Sequence, residues 1–460
     1  MRDELLLGID LGTSTIKANV VDRHGRTRGM GTAPTPFAPG KHGVEMSHHA
    51  LFEAVRAAVV DLGELRSRVV GVGIASMGET GTVIRSDGPS ELPLVAWHDD
   101  RGDEIVRDLI DAFGEAEILR RTGRRPRNVT SIAKIGWLRR HGHDVAGTWT
   151  GVAGLTLWRL TGALGQEHSL AATSGAYDPI RAKYDTDILA VAGLEKITWA
   201  PARTAGTVLG RISPAGAAWS GLPDGIPVTV AGHDHPVGVI GAGGERTEVI
   251  DSMGTGEPLV VAWEGAAGPA PSSLVGRPGD LTLTAWPGTD RYMLLWETLR
   301  PGLALKHLQK ALGIDRGDIE FAAIRIDADP LDFDTLLAMQ SGEVPAALRA
   351  LPPEVAWAAT LEGYAEAAAD AEAGMRGLAG VSGATLLIGG GLRSRRWIEA
   401  KLRRATHPVA MAAEREAVSR GAALLAGVAT GWWKAEDYPA ADIVPMTTGE
   451  PVRGPGMTRA

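Results

Sequence analysis

A short pattern of apolar residues, an aspartate and a Gly-Thr turn occurs twice in this chain of 460 residues. The first copy lies in residues 8–22 and the second in residues 249–261, so that Asp10 and Asp251 stand 241 residues apart. In both copies β-favouring residues flank the turn, which predicts a hairpin. A chain of this length also exceeds what one hydrophobic core usually contains. The repeat therefore predicts a duplicated protein of two domains.

The first turn carries groups that suit a phosphate. Gly12 leaves the neighbouring backbone N–H groups unhindered. The three residues after it all carry hydroxyl groups: Thr13, Ser14 and Thr15. Asp10 can hold Mg²⁺ through water, and Lys17 can neutralise phosphate charge. For this stretch taken alone, an ordinary hairpin with a polar turn is the alternative.

Composition narrows the class of partner. Lysine and arginine number 47 against 55 aspartate and glutamate residues, and the resulting net charge of −8 disfavours nucleic acid. The chain has no cysteine, which excludes disulfides, thiolate catalysis and cysteine-held zinc. No stretch approaches the roughly 18 consecutive apolar residues of a membrane-spanning helix. We therefore expect a cytoplasmic protein with a small-molecule substrate and with no membrane or nucleic-acid partner; a homodimer stays open.

Two predicted strands end in residues that can bind a sugar. The strand over residues 69–75 runs into Gly78 and Glu79, which places a carboxylate where open α/β sheets bind ligands. The strand that begins at residue 94 runs into Trp97 and Asp99. An indole ring can cover the C–H bonds of a sugar while charged groups bind its hydroxyls. A core tryptophan beside a solvated turn is the alternative.

A third strand, over residues 226–231, is followed by Asp234 between two histidines and then by small residues at helical spacing. A carboxylate at that position is a candidate general base. Capping of the next helix is the commoner role for an aspartate there, and both roles can hold together. Residues 29–43, which are rich in proline and glycine, are predicted to form a loop.

The second half has its own signals. We place a domain boundary near residue 245, which gives domains over 1–245 and 246–435 and a tail over 436–460. A long helix is predicted over 353–379 and a strand over 384–388. Three glycines follow that strand and leave room for a flat ligand such as an adenine ring.

Taken in order, five motifs resemble those of the FGGY carbohydrate kinases, the family of glycerol kinase, xylulokinase and ribulokinase. They are Asp10-Leu11-Gly12-Thr13-Ser14, Trp97-His98-Asp99-Asp100-Arg101, Gly232-His233-Asp234, Ser252-Met253-Gly254-Thr255, and the 389–394 turn that leads to residues 421–423. The resemblance extends from about residue 5 to about residue 430. It implies an α/β fold of two ribonuclease-H-like domains of the actin and hexokinase type. ATP, Mg²⁺ and a sugar would lie in the cleft between them.

The residues and the resemblance together give a predicted site. Asp234 is the expected catalytic base, and Asp10 is the expected metal residue. The expected substrate-binding residues are Glu79, Trp97, Asp99 and His235. The expected nucleotide-binding residues are Gly12, Thr13, Ser14, Thr15, Lys17, Gly254, Thr255, Gly302, Gly390, Gly391 and Ser394.

The implied reaction transfers a phosphoryl group from ATP to a hydroxyl of a small linear sugar or polyol. Gly78 stands where the glycerol kinase loop has an arginine, so we expect a roomier pocket that favours a four- or five-carbon ketose or alditol over glycerol. Two other readings remain. A chaperone-like ATPase of the same superfamily would need a further β-domain, yet only about thirty residues follow Thr430. A non-catalytic sugar sensor should have lost Asp234.

Overall fold

The computed structural model describes residues 4–244, 248–263, 270–277 and 279–446. The boundary predicted near residue 245 and the end of the predicted tail, beyond residue 446, lie outside these residues. We call residues 4–244 the first half and residues 248–446 the second half. How the chain divides into domains stays a prediction.

The first half contains seventeen strands and nine helices among its described residues. The strands are β1 (Leu5–Leu11), β2 (Thr15–Val21), β3 (Thr27–Pro34), β4 (Ala38–Pro39), β5 (Val44–Met46), β6 (Val69–Ser76), β7 (Gly81–Arg85), β8 (Gly88–Pro89), β9 (Leu94–Val95), β10 (Thr148–Gly151), β11 (Gln166–Glu167), β12 (Tyr177–Asp178), β13 (Lys183–Tyr184), β14 (Thr198–Trp199), β15 (Ala202–Arg203), β16 (Gly210–Arg211) and β17 (Pro227–His233). The helices are α1 (His48–Val60), α2 (Asp103–Phe113), α3 (Glu115–Thr122), α4 (Ser131–Arg140), α5 (Val152–Thr161), α6 (His168–Ala172), α7 (Thr186–Val191), α8 (Pro214–Ser220) and α9 (Asp234–Gly241).

The second half contains seven strands and seven α-helices among its described residues. The strands are β18 (Val249–Ser252), β19 (Leu259–Ala262), β20 (Leu281–Ala285), β21 (Tyr292–Trp296), β22 (Thr385–Ile388), β23 (Val409–Ala412) and β24 (Ile443–Met446). The helices are α10 (Pro301–Leu312), α11 (Arg316–Ala323), α12 (Phe333–Gln340), α13 (Ala346–Arg349), α14 (Pro353–Ala379), α15 (Arg395–Arg404) and α16 (Ala417–Thr430). Short 3₁₀ turns span Gly63–Arg68 in the first half and Pro271–Leu274 and Gly390–Arg393 in the second.

The two halves are built around sheets with the same central arrangement. The first sheet has the order β16-β17-β6-β1-β2-β3, and the second has the order β20-β21-β19-β18-β22-β23-β24. In each sheet three antiparallel strands are followed by two parallel ones: β3-β2-β1-β6-β17 and β21-β19-β18-β22-β23. Asp10 and Asp251 are each the last but one residue of the corresponding strand, β1 and β18. The duplication predicted from the repeated motif is thus present in the sheets.

The central strands β1 and β6 of the first sheet are buried, and α16 packs against them. Strands β1 and β6 are almost wholly apolar because both faces of the sheet are covered. Helix α16 covers one face by lying directly against β1 and β6, although it belongs to the second half. A side chain at Gly8 or Gly73 would collide with this helix, since a Cβ would lie 1.8 Å from the Ser419 carbonyl oxygen or 1.9 Å from that of Ala422. Glycine is required at both positions for this close approach.

The halves also meet through α3 and the residues after it. Leu119 of α3 is buried in the hydrophobic core of the second half. The Leu283 N–H donates to the Gly123 carbonyl oxygen at 2.8 Å, and Arg127 forms an ion pair of 2.8 Å with Asp280. These contacts hold the end of α3 between the two sheets.

Most of the predicted elements are present, with two departures. The helix predicted over 353–379 is α14, and the strand predicted over 384–388 is β22. The loop prediction over 29–43 is wrong in part, because Thr27–Pro34 forms β3. The backbone hydrogen bonds between β3 and β2 offset the weak strand propensity of glycine and proline. Part of the predicted tail, Ile443–Met446, pairs with β23 as the edge strand β24. Within the described residues, no helix is long and apolar enough to cross a membrane.

Candidate active site

The turn between β1 and β2 lies at the carboxyl end of β1. Thr35, which directly follows β3, holds this turn in place. Its hydroxyl donates to the Gly12 carbonyl oxygen at 2.6 Å, and its N–H donates to the Ser14 carbonyl oxygen at 3.1 Å. Thr13, Ser14 and Thr15 are partly or fully exposed, so their hydroxyls and N–H groups can reach a ligand. The predicted phosphate turn is therefore held in shape and open.

Asp10 is buried beside this turn, and its Oδ1 atom has no hydrogen-bond partner among the described residues. Burial, and next the charge of Asp234, raise the pKa of Asp10 to about 7. Lys17 lowers that pKa, but its ammonium is also paired with Glu416 at 2.6 Å. A buried carboxylate with a free oxygen next to other carboxylates suits a divalent cation. The residues present thus fit Mg²⁺ at Asp10, and Glu416 is a neighbour that sequence reasoning missed.

The second Gly-Thr turn joins β18 to β19 and differs from the first. Gly302 at the start of α10 packs on it so tightly that a Cβ there would lie 2.4 Å from the Gly254 carbonyl oxygen. Thr255 is exposed, whereas Asp251 is buried and ion-paired with Lys401 of α15. Glycine at 302 therefore brings the amino-terminal end of α10 against the turn. Lys401 pairs with both Asp251 and the neighbouring Glu257, so the second aspartate has a lysine in direct contact, whereas Asp10 forms no ion pair within the described residues.

Asp234 is the first residue of α9, directly after β17. Its Oδ1 accepts a hydrogen bond from the His235 N–H at 2.8 Å and lies 3.2 Å from His233 Nε2. Burial lowers the pKa of His233 to about 4, so this histidine is neutral at pH 7. Ser169 fixes the end of the strand, because its Oγ accepts from the His233 N–H at 2.9 Å while donating to Glu167. The carboxylate is held in place and still partly exposed.

Glu79 follows β6 in a left-handed backbone conformation, with φ of 61°. Its carboxylate is buried and forms an ion pair of 3.0 Å with Arg124 Nη2. The same nitrogen lies 3.8 Å from Glu297 of the second half, and His235 Nε2 lies 3.8 Å from the other oxygen of Glu297. Burial raises the pKa of Glu79 to about 7, although Arg124 opposes this shift. A left-handed non-glycine residue and a buried charged cluster are both typical of functional sites.

Arg124 and Glu297 were not predicted from the sequence. Arg124 lies in residues 120–127, which contain four further arginines, and this density of positive charge was the available signal. Glu297 follows the apolar strand β21, as Glu79 follows β6, so the pattern of a strand that ends in a glutamate was also available. The loop of Glu79 has Gly78 at the position where an arginine could stand. Arg124, from the segment after α3, supplies the guanidinium to Glu79 instead.

Trp97 and Asp99 have different surroundings. The Trp97 Nε1–H donates to Thr13 Oγ1 at 2.9 Å, which joins the ring to the first phosphate turn. Both oxygens of Asp99 are occupied: Oδ1 accepts from Arg101 Nε at 2.7 Å and Oδ2 accepts from the Val44 N–H at 2.6 Å. Asp99 therefore holds its loop together, while Trp97 faces the cleft region.

The glycine turn after β22 is only partly open. Gly390 is exposed, and a Cβ there would meet no atom within 4 Å. A Cβ at Gly391 would lie 2.6 Å from the Met253 side chain, so this glycine serves packing. Ser394 is buried: its Oγ accepts from the Trp397 N–H at 3.2 Å and donates to Glu320 at 2.6 Å. Ser394 thus caps α15, and Gly390 is the member of this predicted set that lies open to a ligand.

Comparison with known proteins shows the family to which the chain belongs. Residues 5–241 match the family described as the FGGY family of carbohydrate kinases, N-terminal domain. The chain belongs to the FGGY family of carbohydrate kinases. An L-fuculokinase of Escherichia coli K12 is 26% identical over 274 residues, which are 57% of each chain. An autoinducer-2 kinase of the same strain is 28% identical over 251 residues, covering 52% of this chain and 47% of that one. The chain thus spans about half the length of the curated relatives it matches.

The fold is that of solved kinases of this family. The crystal structure of a xylulose kinase from Rhodospirillum rubrum superposes with a TM-score of 0.79 at 22% identity, covering 96% of this chain and 94% of the other. At that identity the likeness concerns the fold. It confirms the predicted α/β architecture of two ribonuclease-H-like domains of the actin and hexokinase type.

Proposed function

We propose that this protein is an ATP-dependent kinase that phosphorylates a hydroxyl of a small linear sugar or polyol. The observation that carries the proposal is the placement of Asp234. Its charge raises the pKa both of Asp10 at the first phosphate turn and of Glu79 after β6, so Asp234 lies near both groups. A carboxylate between a phosphate turn and a buried polar cluster can accept the proton of a hydroxyl that attacks a phosphoryl group.

Phosphoryl transfer requires alignment and neutralisation of charge more than covalent chemistry. The N–H and hydroxyl groups of residues 12–15 would bind the phosphates from one side, and the turn at Gly254 and Thr255 would bind them from the other. Asp10 would hold Mg²⁺, which when bound neutralises charge on the transferring phosphates. Asp234 would take the hydroxyl proton. His233 beside it is neutral at pH 7, so it would not hold the Asp234 carboxylate in an ion pair.

Substrate recognition is assigned to the cluster around Glu79. A buried carboxylate and a guanidinium can bind two adjacent hydroxyls, and a substrate that lacks one of them leaves a buried charge unpaired. His235 and Trp97 would line the same pocket. The relatives act, by their names, on fuculose, xylulose and autoinducer-2. Four- and five-carbon ketoses and alditols remain the favoured substrates, with glycerol as a weaker one.

An ADP-release assay over glycerol, erythritol, xylitol, xylulose, ribulose and fuculose tests the proposal. The wild-type protein should turn over at least one of them, and Asp234→Asn should lower kcat at least roughly 10²-fold while leaving nucleotide affinity similar. Asp224→Asn is the matched control, since Asp224 is exposed and precedes the same strand. An Asp234→Asn variant with normal turnover would remove this residue from the role. Sugar binding without any turnover would favour the sensor instead.

A further inference from the structure

Arg300 lies next to Trp97 and has no counter-ion among the residues that the structure describes. It follows β21 and immediately precedes Pro301 of α10. Its guanidinium carbon lies 5.8 Å from the centre of the Trp97 ring, which belongs to the first half. It forms no ion pair with any residue in the described ranges. Burial, and next the charge of Arg127, lower its pKa, so the site holds a cation that is partly desolvated and repelled by a neighbour.

The carboxylates near Arg300 are committed to other cations. Glu297 lies 3.8 Å from both Arg124 Nη2 and His235 Nε2, and Asp280 is paired with Arg127 at 2.8 Å. The remaining acidic neighbour, Asp100, is exposed. A guanidinium that is partly removed from water without a charged partner is unfavourable. Binding of an anion to the Arg300 guanidinium would therefore be favourable.

The neighbours of Arg300 contact both phosphate turns. On one side, the ring that it covers donates from Trp97 Nε1 to Thr13 Oγ1 of the first turn at 2.9 Å. On the other side, the first turn of α10 contacts the second phosphate turn, where the Leu303 N–H donates to the Thr255 carbonyl oxygen at 3.3 Å. The anion that the proposed function brings to this place is the terminal phosphate of ATP.

We infer that the Arg300 guanidinium binds the phosphoryl group in transfer and neutralises the charge that develops on its oxygens. This inference rests on the proposed kinase function. In the transfer, the bond between the γ-phosphorus and the bridging oxygen of ATP breaks, and a bond forms between that phosphorus and the sugar oxygen. The hydroxyl proton passes to Asp234, and Arg300 keeps all its protons. A planar guanidinium suits this role because it presents several fixed N–H donors to phosphate oxygens.

The contact also links catalysis to the arrangement of the two halves. Arg300 and α10 belong to the second half, whereas Trp97 and Thr13 belong to the first. The guanidinium of the second half lies against the Trp97 ring of the first, so this contact depends on how close together the two halves lie. The cation would therefore act on the phosphoryl group in the closed state, in which water is excluded.

The test compares Arg300→Lys and Arg300→Met with the wild type and with Arg325→Lys, an exposed arginine of the second half. Turnover is measured with the best neutral sugar of the ADP-release screen. Affinities for ADP and for the ATP analogue AMP-PNP are measured by calorimetry with Mg²⁺ and that sugar present. We expect Arg300→Met to lower kcat by roughly 10²- to 10³-fold. AMP-PNP affinity should fall about tenfold, ADP affinity should change less than about twofold, and Arg300→Lys should restore part of the rate.

Two results for the variants would assign Arg300 to another role. One is normal turnover of the neutral sugar by Arg300→Met with a loss confined to acidic sugars such as gluconate, which would assign Arg300 to the substrate. The other is an equal loss of ADP and AMP-PNP affinity together with a lowered melting temperature in both variants, which would assign it to structure. A wild-type protein that turns over no sugar and binds neither nucleotide would refute the kinase function and this inference with it. An active wild type with active variants would refute the inference alone.

Discussion

Replacing Arg124 by methionine removes the cation that faces Glu79 and leaves the carboxylate buried. Both side chains are 7% exposed, and Arg124 Nη2 lies 3.0 Å from Glu79 Oε1. Burial already raises the pKa of Glu79 to about 7, and Arg124 opposes that rise. Without the arginine, the pKa of Glu79 should therefore rise further. Methionine keeps most of the apolar volume of the arginine stem, so the change is mainly one of charge.

The size of the shift follows from Coulomb's law. Two unit charges about 4 Å apart interact by about 4 kcal/mol at an effective dielectric constant near 20, which corresponds to roughly three pKa units. Relaxation and entry of water reduce this, so we expect a rise of at least about one unit. At pH 7 the ionised fraction of Glu79 would then fall from about one half to below about one tenth.

The assay is the pH dependence of kcat/KM for the best sugar between pH 6 and 9. In the wild type the rise assigned to Glu79 should be centred near pH 7, and in Arg124→Met near pH 8 or above. Adding Glu79→Gln should remove this part of the profile in both backgrounds. Arg120→Met is the matched control, because Arg120 lies on the same helix α3 and is 53% exposed. A rise that stays near pH 7 in Arg124→Met would refute the coupling between the two side chains.

Three further predictions follow from the same contacts. Asp10→Asn should weaken Mn²⁺ binding in the presence of AMP-PNP by at least about tenfold, measured by calorimetry, because the free Oδ1 loses its charge; unchanged affinity would place the cation elsewhere. Arg420 is buried and donates hydrogen bonds to the carbonyl oxygens of residues 25, 241, 439 and 440. Arg420→Met should therefore lower the free energy of unfolding, measured with denaturant, by about 3 kcal/mol. The control Arg107→Met, at an exposed arginine, should lower it by less than about 0.5 kcal/mol. Small-angle scattering should show a smaller radius of gyration with sugar and AMP-PNP together than with either alone, and an identical radius in all states would count against a closing cleft.

Burial of Glu79 also predicts how stability depends on pH. Its folded pKa of about 7 lies above the ordinary value of 4.5, so the folded state binds this proton more tightly than the unfolded chain does. The resulting stabilisation is complete below pH 4.5 and is lost as the pH rises through 7. Glu79→Gln should therefore melt with less decline between pH 4.5 and 7 than the wild type in thermal unfolding. A decline of equal size would mean that other buried acids account for it.

The sequence by itself determined the local elements and their repetition. Strand, turn and helix positions follow from periodicities of two and 3.6 residues, which depend on neighbours in the chain. The repeated aspartate turn therefore predicted two related sheets, and the strand before Asp234 predicted a carboxylate at the start of a helix. The ordered motifs were enough to identify the family.

Only the tertiary structure decided which of these groups are free to act. Asp10 and Asp251 occupy equivalent places in their sheets, yet Lys401, 150 residues beyond Asp251, forms a buried ion pair with Asp251 and with Glu257 beside it. Arg124 reaches Glu79, and Glu297 approaches both from the other half. The reason is physical: an ion pair depends on distances in space and on burial, and residues far apart in the chain come within 4 Å only when the sheets and helices pack.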